Sequence, residues 1–205
     1  MAVQATKPDT KNGNTTPAED RTAEICLTAA QVICEKGYDA TSMNDIAAAV
    51  KLTKAGLYYY TSGKQDLLYR IIDYAMGLIE EISHECEQIN DPEERLKQII
   101  HRHVITTVDG GGSITILANE MNALSPEQRE EIRVRKRSFL ALTRETLFEL
   151  QEAGRLNDLI PEIAALNIFA TIHGIPRWYN SDGDMPSTDI ADQISRFLLN
   201  ALLKC

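Results

Sequence analysis

The chain of 205 residues is 43% hydrophobic, which is enough to bury a sizeable core, and its length fits one large domain or two small ones. Its 21 Lys and Arg against 30 Asp and Glu give a net charge of −9, which excludes a generally basic surface, so any DNA contact must be local. No segment approaches the roughly 20 apolar residues of a membrane span, and the N-terminus lacks the apolar core of a signal peptide, so we expect a cytoplasmic protein.

The N-terminal region predicts a tail followed by a helix. Residues 1–16 are polar, with almost no apolar side chain, which is typical of a disordered segment. From Pro17 to Lys36 apolar residues recur at helical spacing, and Gly37 follows in a position that favours a helix C-cap. The buried face of this first helix is expected to contain Ile25, Ala29, Val32 and Ile33.

The next stretch, from Gly37 to Leu68, predicts two short helices separated by a tight turn. The first runs from about Met43 to Val50 behind the capping hydroxyl of Ser42. The second opens at the capping residue Thr53, and Leu57 is its one obligatory core position. Because isolated helices shorter than about 12–15 residues are marginal in water, this second helix must be held by its neighbour while its polar side faces outward.

The polar side of this unit fits a clamp for a DNA backbone. Hydroxyl, phenol and ammonium groups contact phosphate oxygens, and helix N-termini add further donors. Three lysines oppose one aspartate within residues 41–64, which gives a local excess of positive charge. The candidate contacts are Ser42, Thr53, Lys54, Tyr58, Tyr59 and Lys64. The alternative is a solvated helical hairpin whose tyrosines pack against the following helix.

The remainder of the chain predicts further helices, so the expected fold class is all-α. A helix over about 64–89 is longer than a three-helix head requires, so it should connect that head to the rest. Asp91 and Pro92 begin the next helix, which ends at a glycine-rich turn over 109–112. Later helices are predicted over 114–124, 127–153, 161–179 and 187–204, with Pro176 expected to kink or end the third of these.

The chemistry-bearing residues give little support for an enzyme. His101 and His103 diverge on a helix, and no Ser or Cys lies in a nucleophile motif. The cysteines have no metal-binding spacing, so we expect reduced thiols, no metal and no cofactor, at Cys26, Cys34, Cys86 and Cys205. The basic cluster over 133–137 is either a site for an anionic ligand group or a solvated face paired with Glu127, Glu130 and Glu131.

Several motifs in fixed order resemble the DNA-binding domain of the TetR (tetracycline repressor) family. They are GYDATSM, DIA, KAGLYYY and SGKQDLL, within residues 21–68. The resemblance implies a three-helix helix-turn-helix domain over 17–68 and a helical ligand-binding and dimerisation domain over 69–205. It also implies that the helix Lys54–Tyr60 enters the major groove. The implied DNA contacts are Ser42, Thr53, Lys54, Ala55, Gly56, Tyr58, Tyr59, Tyr60 and Lys64. Thr61 departs from the family, which usually has an aromatic residue there.

Two further segments, ALSPEQREEIRVRKRSF and HGIPRWYNSDG, are similar to the branch of the family that answers to acyl-CoA or other CoA thioesters. That similarity implies an apolar tunnel for an acyl chain, with Arg177 or the basic cluster meeting phosphates. The candidate pocket residues are His103, Leu117, Met121, Phe139, Leu142, Ile172, Arg177 and Trp178. A plain hydrophobic core accounts for the same apolar residues.

The last two predicted helices are more apolar than one small bundle needs, which favours a subunit interface over an intramolecular core. Family members pair these helices into a four-helix bundle, which implies an interface of Ile168, Ile190, Ile194, Phe197, Leu198 and Ala201. The expected function is that of a homodimeric repressor, released from a palindromic operator by a small hydrophobic or acyl-CoA effector. The alternatives are a helical protein-interaction module that does not bind DNA, and an enzyme.

Overall fold

The computed structural model describes residues 17–110, 112–179 and 185–204 as a helical protein, so the predicted all-α class is confirmed. Its helices are α1 (Pro17–Lys36), α2 (Met43–Ala49), α3 (Lys54–Tyr58), α4 (Lys64–Cys86), α5 (Pro92–Asp109), α6 (Ser113–Asn119), α7 (Pro126–Glu152), α8 (Pro161–Gly174) and α9 (Ser187–Leu202). Short 3-10 turns follow α6 at Met121–Ala123 and α8 at Ile175–Arg177. None of the described helices combines the length and apolar composition needed to cross a membrane. The predicted tail over 1–16 lies outside the described residues.

Capping residues and prolines set most helix boundaries close to the predicted positions. Asp91 caps α5 because its carboxylate accepts an N–H of the first turn at 3.0 Å. Helix α8 ends at Gly174, as the sequence indicated, because Pro176 has no N–H for a further helical bond. The helix predicted over 114–124 is wrong in its second half, since α6 ends at Asn119 and a separate 3-10 turn follows.

Buried apolar side chains of the described residues form two clusters. The first joins α1, α2 and α3 to the buried side of α4 and continues to α6 and the middle of α7. The second packs α5, α8 and α9 against the C-terminal half of α7. The first cluster extends over both sides of the predicted domain boundary at residue 68. The three N-terminal helices therefore share a core with the rest of the described chain after residue 68, called the body below.

Hydrogen bonds around Thr61 hold the corner before α4. The Thr61 side chain is 3% exposed, and its hydroxyl donates to the Asp66 carboxylate at 2.8 Å. The same carboxylate accepts the Ser62 N–H at 2.9 Å, and the Gly63 N–H donates to the Thr61 oxygen at 3.3 Å. This polar network fixes the start of α4. It is centred on Thr61, the position where the sequence resemblance led us to expect an aromatic residue.

The cysteines in the described part of the chain are free thiols. Cys26 and Cys86 are buried, and burial raises the pKa of both to about 11. Such thiols stay protonated near neutral pH and are poor nucleophiles.

Candidate DNA-binding and effector sites

The N-terminus of α2 is fixed by a capping box between Ser42 and Asp45. The Ser42 hydroxyl accepts the Asp45 N–H at 3.2 Å, and the Asp45 carboxylate accepts the Ser42 N–H at 2.9 Å. Lys36 of α1 donates to that carboxylate at 2.6 Å, and this bond, with those from Ser42, holds the pKa of Asp45 well below its usual range. The exposed Ser42 therefore lies at a helix N-terminus whose position is set from α1.

A single buried side chain anchors α3. Leu57 is fully buried, as the sequence predicts, while the Thr53 hydroxyl caps the helix by accepting the Gly56 N–H at 3.0 Å. A Cβ atom on Gly56 would lie 3.2 Å from that hydroxyl oxygen, so the cap favours glycine at this position. The helix is thus docked through Leu57 and closed by its cap, which leaves its other side free.

The exposed side of α3 carries most of the predicted contacts. Tyr58 is 46% exposed and Tyr59 is 85% exposed, and both face solvent together with Lys54 and Ala55. Tyr60 differs, because it is half-buried and packs against the first core cluster. The exposure of Tyr58 and Tyr59 contradicts the alternative of a hairpin whose tyrosines pack against the following helix.

Lys64 is positioned by the loop that follows α1. Its ammonium donates to the Asp39 carbonyl at 3.2 Å and lies 4.3 Å from the centre of the Tyr38 ring, within the range of a cation–π contact. Sequence reasoning missed Tyr38 and Asp39, because they lie more than twenty residues before the lysine that they hold. These contacts hold the Lys64 ammonium against the loop that leads into α2.

The body contains an apolar cavity of about 270 Å³ that is partly open to solvent. Its walls come from α4, α5, α6, α7 and α8, so most of the helices of the body meet there. Among the predicted pocket residues, His103, Leu117 and Phe139 line this cavity. Met76 and Phe169 also line it and were missed, because each lies on a helix whose apolar residues all fit a plain core.

The other predicted pocket residues lie elsewhere. Ile172 is fully buried in the second core cluster, and Leu142 is 9% exposed within the first. Arg177 and Trp178 are wrong as pocket residues: both are exposed, because Pro176 ends the helix and carries the chain away from the cavity. Met121 lies beside the cavity, in a neighbouring polar pocket.

Two histidines meet at the wall of the apolar cavity. The rings of His103 and His173 are 5.4 Å apart between centroids. Burial lowers the pKa of His103 to about 3 and that of His173 to about 4, and the nearby positive charge of Lys136 adds to both effects. Both rings are therefore neutral at pH 7. His173 was missed, since a lone histidine in an apolar helix gives no local signal.

A cationic pocket of about 370 Å³ adjoins the apolar cavity, and the two share Lys136 and Arg137. Arg129 and Arg133 complete its basic wall. Arg133 and Arg137 both contact the Glu130 carboxylate, at 3.7 and 2.6 Å. Lys136 has no carboxylate partner among the described residues, and burial lowers its pKa. A half-buried ammonium thus lies where an apolar and a cationic space meet.

Different residues of the basic cluster over 133–137 fit the two alternatives for it, an ion-paired face and a site for an anionic ligand group. Arg135 points away from the pocket and pairs with Asp73 and Glu80 of α4, at 2.6 Å each. These bonds tie α7 to α4. The ion-paired alternative, with partners on α7 itself, is matched by Arg133 and Arg137 on Glu130, and by Arg135 only through Glu131 at 3.9 Å. Lys136 faces the pocket and matches the ligand-site alternative.

Exposed apolar side chains concentrate on α8 and on the neighbouring face of α9. Ile160, at the cap of α8, and Ile163 and Leu166 on α8 are each more than half exposed, and Phe197 on α9 is 69% exposed. Of the predicted interface residues, Phe197 and Ala201 are exposed and Ile194 is half-buried. Ile168 and Ile190 are wrong, because they are 0% and 2% exposed and fill the protomer's own core, and Leu198 at 7% is nearly as buried.

The sequence matches two family models. Residues 25–71 match the model described as "Bacterial regulatory proteins, tetR family". Residues 90–202, more than half of the chain, match "Tetracyclin repressor-like, C-terminal domain". The chain belongs to the TetR family. This confirms the resemblance seen in the sequence and identifies a transcriptional regulator rather than an enzyme.

Known TetR-family proteins resemble the chain over most of its length. The crystal structure of AibR in complex with isovaleryl coenzyme A and operator DNA superimposes with a TM-score of 0.77 at 31% identity, covering 87% of this chain and 98% of AibR. The fatty acid metabolism regulator protein of Bacillus subtilis (strain 168) is 22% identical over 87% of this chain and 94% of its own length. The repressor DhaR of Mycobacterium sp. (strain GP1) is 27% identical over 70% of this chain and 74% of its own length.

Because the two buried histidines are neutral in the folded state, we expect the protein to lose stability as the pH falls below about 6.5, before most carboxylates titrate. Each ring binds its proton near pH 6.5 when unfolded but only near pH 3 to 4 when folded, so stability is full above about pH 6.5 and falls as the pH drops below it. Replacing His103→Leu should reduce the slope of unfolding free energy against pH by about 1.4 kcal/mol per pH unit between pH 5.5 and 4.5. Urea titrations at several pH values measure it.

The matched control is His84→Leu, which removes an exposed histidine of α4. This variant should keep the wild-type slope. Equal slopes for wild type and His103→Leu would show that the buried ring takes up its proton in the folded state as readily as in the unfolded chain.

Proposed function

We propose that this TetR-family protein is a dimeric transcriptional repressor that a short-chain CoA thioester releases from a near-palindromic operator. The observation that carries the proposal is the shared wall of the apolar cavity and the cationic pocket, at Lys136 and Arg137. A CoA thioester has the same division, with an apolar acyl group next to a long polar part that carries phosphates. Since operator DNA is the target, the proposal includes a cytoplasmic location.

The size and charge of the two spaces support this effector class. The cavity of about 270 Å³ lies just below the usual range of ligand pockets, about 300–1,000 Å³, so it suits a short acyl group. Guanidinium and ammonium groups bind phosphates through charge-assisted hydrogen bonds, and four of them line the cationic pocket. The resemblance to AibR, which was crystallised with isovaleryl coenzyme A, supports the same class.

For the operator, we propose a contact surface formed by the N-termini of α2 and α3 and the exposed side of α3. Exposure supports a direct role for Ser42, Thr53, Lys54, Ala55, Tyr58 and Tyr59, with Lys64 donating to a backbone phosphate. Gly56 maintains the cap, and the half-buried Tyr60 supports α3 from behind. The two recognition helices of a dimer would enter successive major grooves about 34–36 Å apart.

Contacts between α6 and the head give a route from effector to operator. Ile114 and Leu117 of α6 line the cavity, while Gly112 at its N-terminus lies against Cys34 of α1, with 3.5 Å from the sulfur to the Gly112 carbonyl oxygen. The Gln65 amide of α4 donates to the Ala123 carbonyl at 3.2 Å, just after α6. An acyl group that displaces α6 would therefore move α1 and α4 together and change the separation of the two heads.

The proposed route runs between the two functional units that the sequence suggests. These are a DNA-binding unit over 17–68 and an effector and dimerisation unit over 69–205. Helix α4 belongs to both by its contacts, because it packs on α1 and also lines the cavity. A coupling free energy of about 1–3 kcal/mol is enough to change operator occupancy five-fold or more.

The exposed apolar side chains of α8 and α9 support dimerisation through these helices. Isolated exposed apolar residues are common, but Ile163 of α8 and Ala201 of α9 line one apolar groove, and an apolar surface shared by two helices is typical of an interface. We propose that Ile163, Leu166, Phe197 and Ala201 form its centre, with the buried Ile168, Ile190 and Leu198 supporting them from inside the protomer.

Replacing Lys64→Ala should weaken binding to operator and to unrelated DNA alike. Loss of one phosphate contact per protomer should reduce the slope of log affinity against log salt by about 2 for the dimer. Fluorescence anisotropy with labelled duplexes at four salt concentrations measures both effects. The control Lys97→Ala, in the body, should leave the slope unchanged, and an unchanged slope in Lys64→Ala would contradict the phosphate contact.

The effector proposal predicts that isovaleryl-CoA and butyryl-CoA dissociate the protein from its operator, whereas free CoA acts weakly. Replacing Lys136→Met removes one charge-assisted hydrogen bond, so about tenfold more thioester should be needed for half-release. The control Arg144→Met, at a half-buried position of α7 outside both pockets that pairs with Glu162 of α8, should behave as wild type. Failure of every acyl-CoA to release bound operator would contradict the effector class.

A charge in the proposed interface should separate the subunits. Replacing Phe197→Asp is expected to raise the dimer dissociation constant at least about a hundredfold, because a carboxylate would be buried without a partner. Analytical ultracentrifugation measures the constant. The control Val134→Asp places the same charge at a 53% exposed position of α7, where the dimer should persist. A Phe197→Asp protein that remains dimeric would exclude this face.

A further inference from the structure

His103 is a buried polar side chain whose hydrogen-bonding capacity is unused by the described residues. It is 2% exposed, and neither ring nitrogen has a hydrogen-bond partner in the described part of the chain. Its nearest ring neighbours are Phe139 at 5.4 Å, Phe169 at 5.6 Å and His173 at 5.4 Å between centroids. The ring is thus held among aromatic groups at the wall of the apolar cavity.

Such a group needs a partner from inside the cavity. Buried polar atoms in proteins are nearly always hydrogen-bonded, since leaving one unpaired is unfavourable. A neutral imidazole carries one N–H donor and one acceptor nitrogen, so it can bind a hydroxyl through either atom or a carbonyl through its donor. A saturated hydrocarbon group can pair with neither nitrogen. A water molecule or an oxygen atom of the effector must therefore fill this role.

We propose that His103, assisted by His173, selects CoA thioesters that carry an oxygen on the acyl chain, as a hydroxyl or an oxo group, over thioesters with a plain hydrocarbon chain. The inference rests on the proposed effector class and adds its substituent. It makes the two histidines specificity-determining residues of the cavity.

The position of the histidines assigns them to the chain rather than to the thioester carbonyl. Lys136 lies at the boundary between the cavity and the cationic pocket, where the thioester would lie. Phe139, a ring neighbour of His103, comes three residues later on α7, about 4.5 Å further along the helix axis. That offset reaches past the thioester to the first carbons of the acyl chain.

The test compares three thioesters of equal chain length: butyryl-CoA, 3-hydroxybutyryl-CoA and acetoacetyl-CoA. Calorimetric titration of the full-length protein should give at least about tenfold tighter binding for one or both oxygenated thioesters than for butyryl-CoA. His103→Leu should remove this preference and bind all three alike. Met76→Leu, an apolar exchange in the same cavity, should retain it. Preference for the hydroxy compound alone would assign a hydroxyl, and preference for acetoacetyl-CoA would assign a carbonyl.

Other results would overturn the inference. Equal affinities for the three thioesters in the wild type would overturn it alone, provided that they still release the operator. An equal loss for all three in His103→Leu, with the preference retained, would assign the ring to the thioester carbonyl instead. Absence of binding by every thioester would overturn the proposed effector class and this inference with it.

A measurement on the wild type keeps the test independent of how the variants fold. In protein labelled with ¹⁵N-histidine, the ring nitrogens of His103 report their hydrogen bonds through their chemical shifts. The oxygenated thioester should shift at least one of them, whereas butyryl-CoA should leave them near their effector-free positions. Identical shifts with both ligands would contradict a selective contact.

Discussion

Helix α4 buries one side along its whole length, from Leu67 near α2 and α3 to Cys86 at its far end. Leu67 and Cys86 are each at most 1% exposed. The same side packs against α1 near its beginning and against α6 and α7 further along. Because protein cores are close-packed, a helix buried in this way moves as a rigid body with its neighbours. The orientation of the DNA-binding head therefore depends on how the middle of α4 is packed, which is where Met76 and Ile79 border the cavity.

Helix α7 joins the two kinds of chemistry that the proposed effector site combines. Phe139 contributes an aromatic wall to the cavity, and Lys136, one turn earlier, borders both the cavity and the cationic pocket. Burial disfavours the charged form of Lys136 and lowers its pKa, so a phosphate next to the ammonium would stabilise that charge and offset the cost of burying it. On the same helix, Arg135 forms ion pairs with two carboxylates of α4. A ligand that binds the basic wall of the pocket would therefore contact a helix that is already linked to α4.

The sequence predicted the parts of this protein that local patterns determine. Capping residues and apolar spacing located α1, α2, α3 and α5, and Leu57 was identified as the buried anchor of α3. Local patterns do not say which of two buried faces borders a cavity. Ile172 and His173 are neighbours on α8, yet the first fills the core and the second lines the cavity. Their roles depend on the rotation of α8 against α5 and α7, which is a tertiary property.

The same limit explains the errors at the subunit face. An amphipathic stripe marks the side of a helix that is buried, so Ile168 and Ile190 were expected at an interface although the protomer's own core needed them. The exposed apolar residues lie beside that stripe, and in α8 the sequence is apolar on nearly every side. A helix of that kind must be covered all round, by its own chain on one side and by another surface on the other.

The junction between α1 and α6 favours glycine at its closest point. Gly112 has a φ of +86°, and a Cβ atom there would lie 2.7 Å from the Cys34 sulfur. A side chain would therefore meet backbone strain, and the Cys34 side chain would have to turn away from it. The close approach places the N-terminus of α6 against α1. If a ligand displaces α6 as we propose, this contact passes the displacement to α1, and the shared core passes it on to α3.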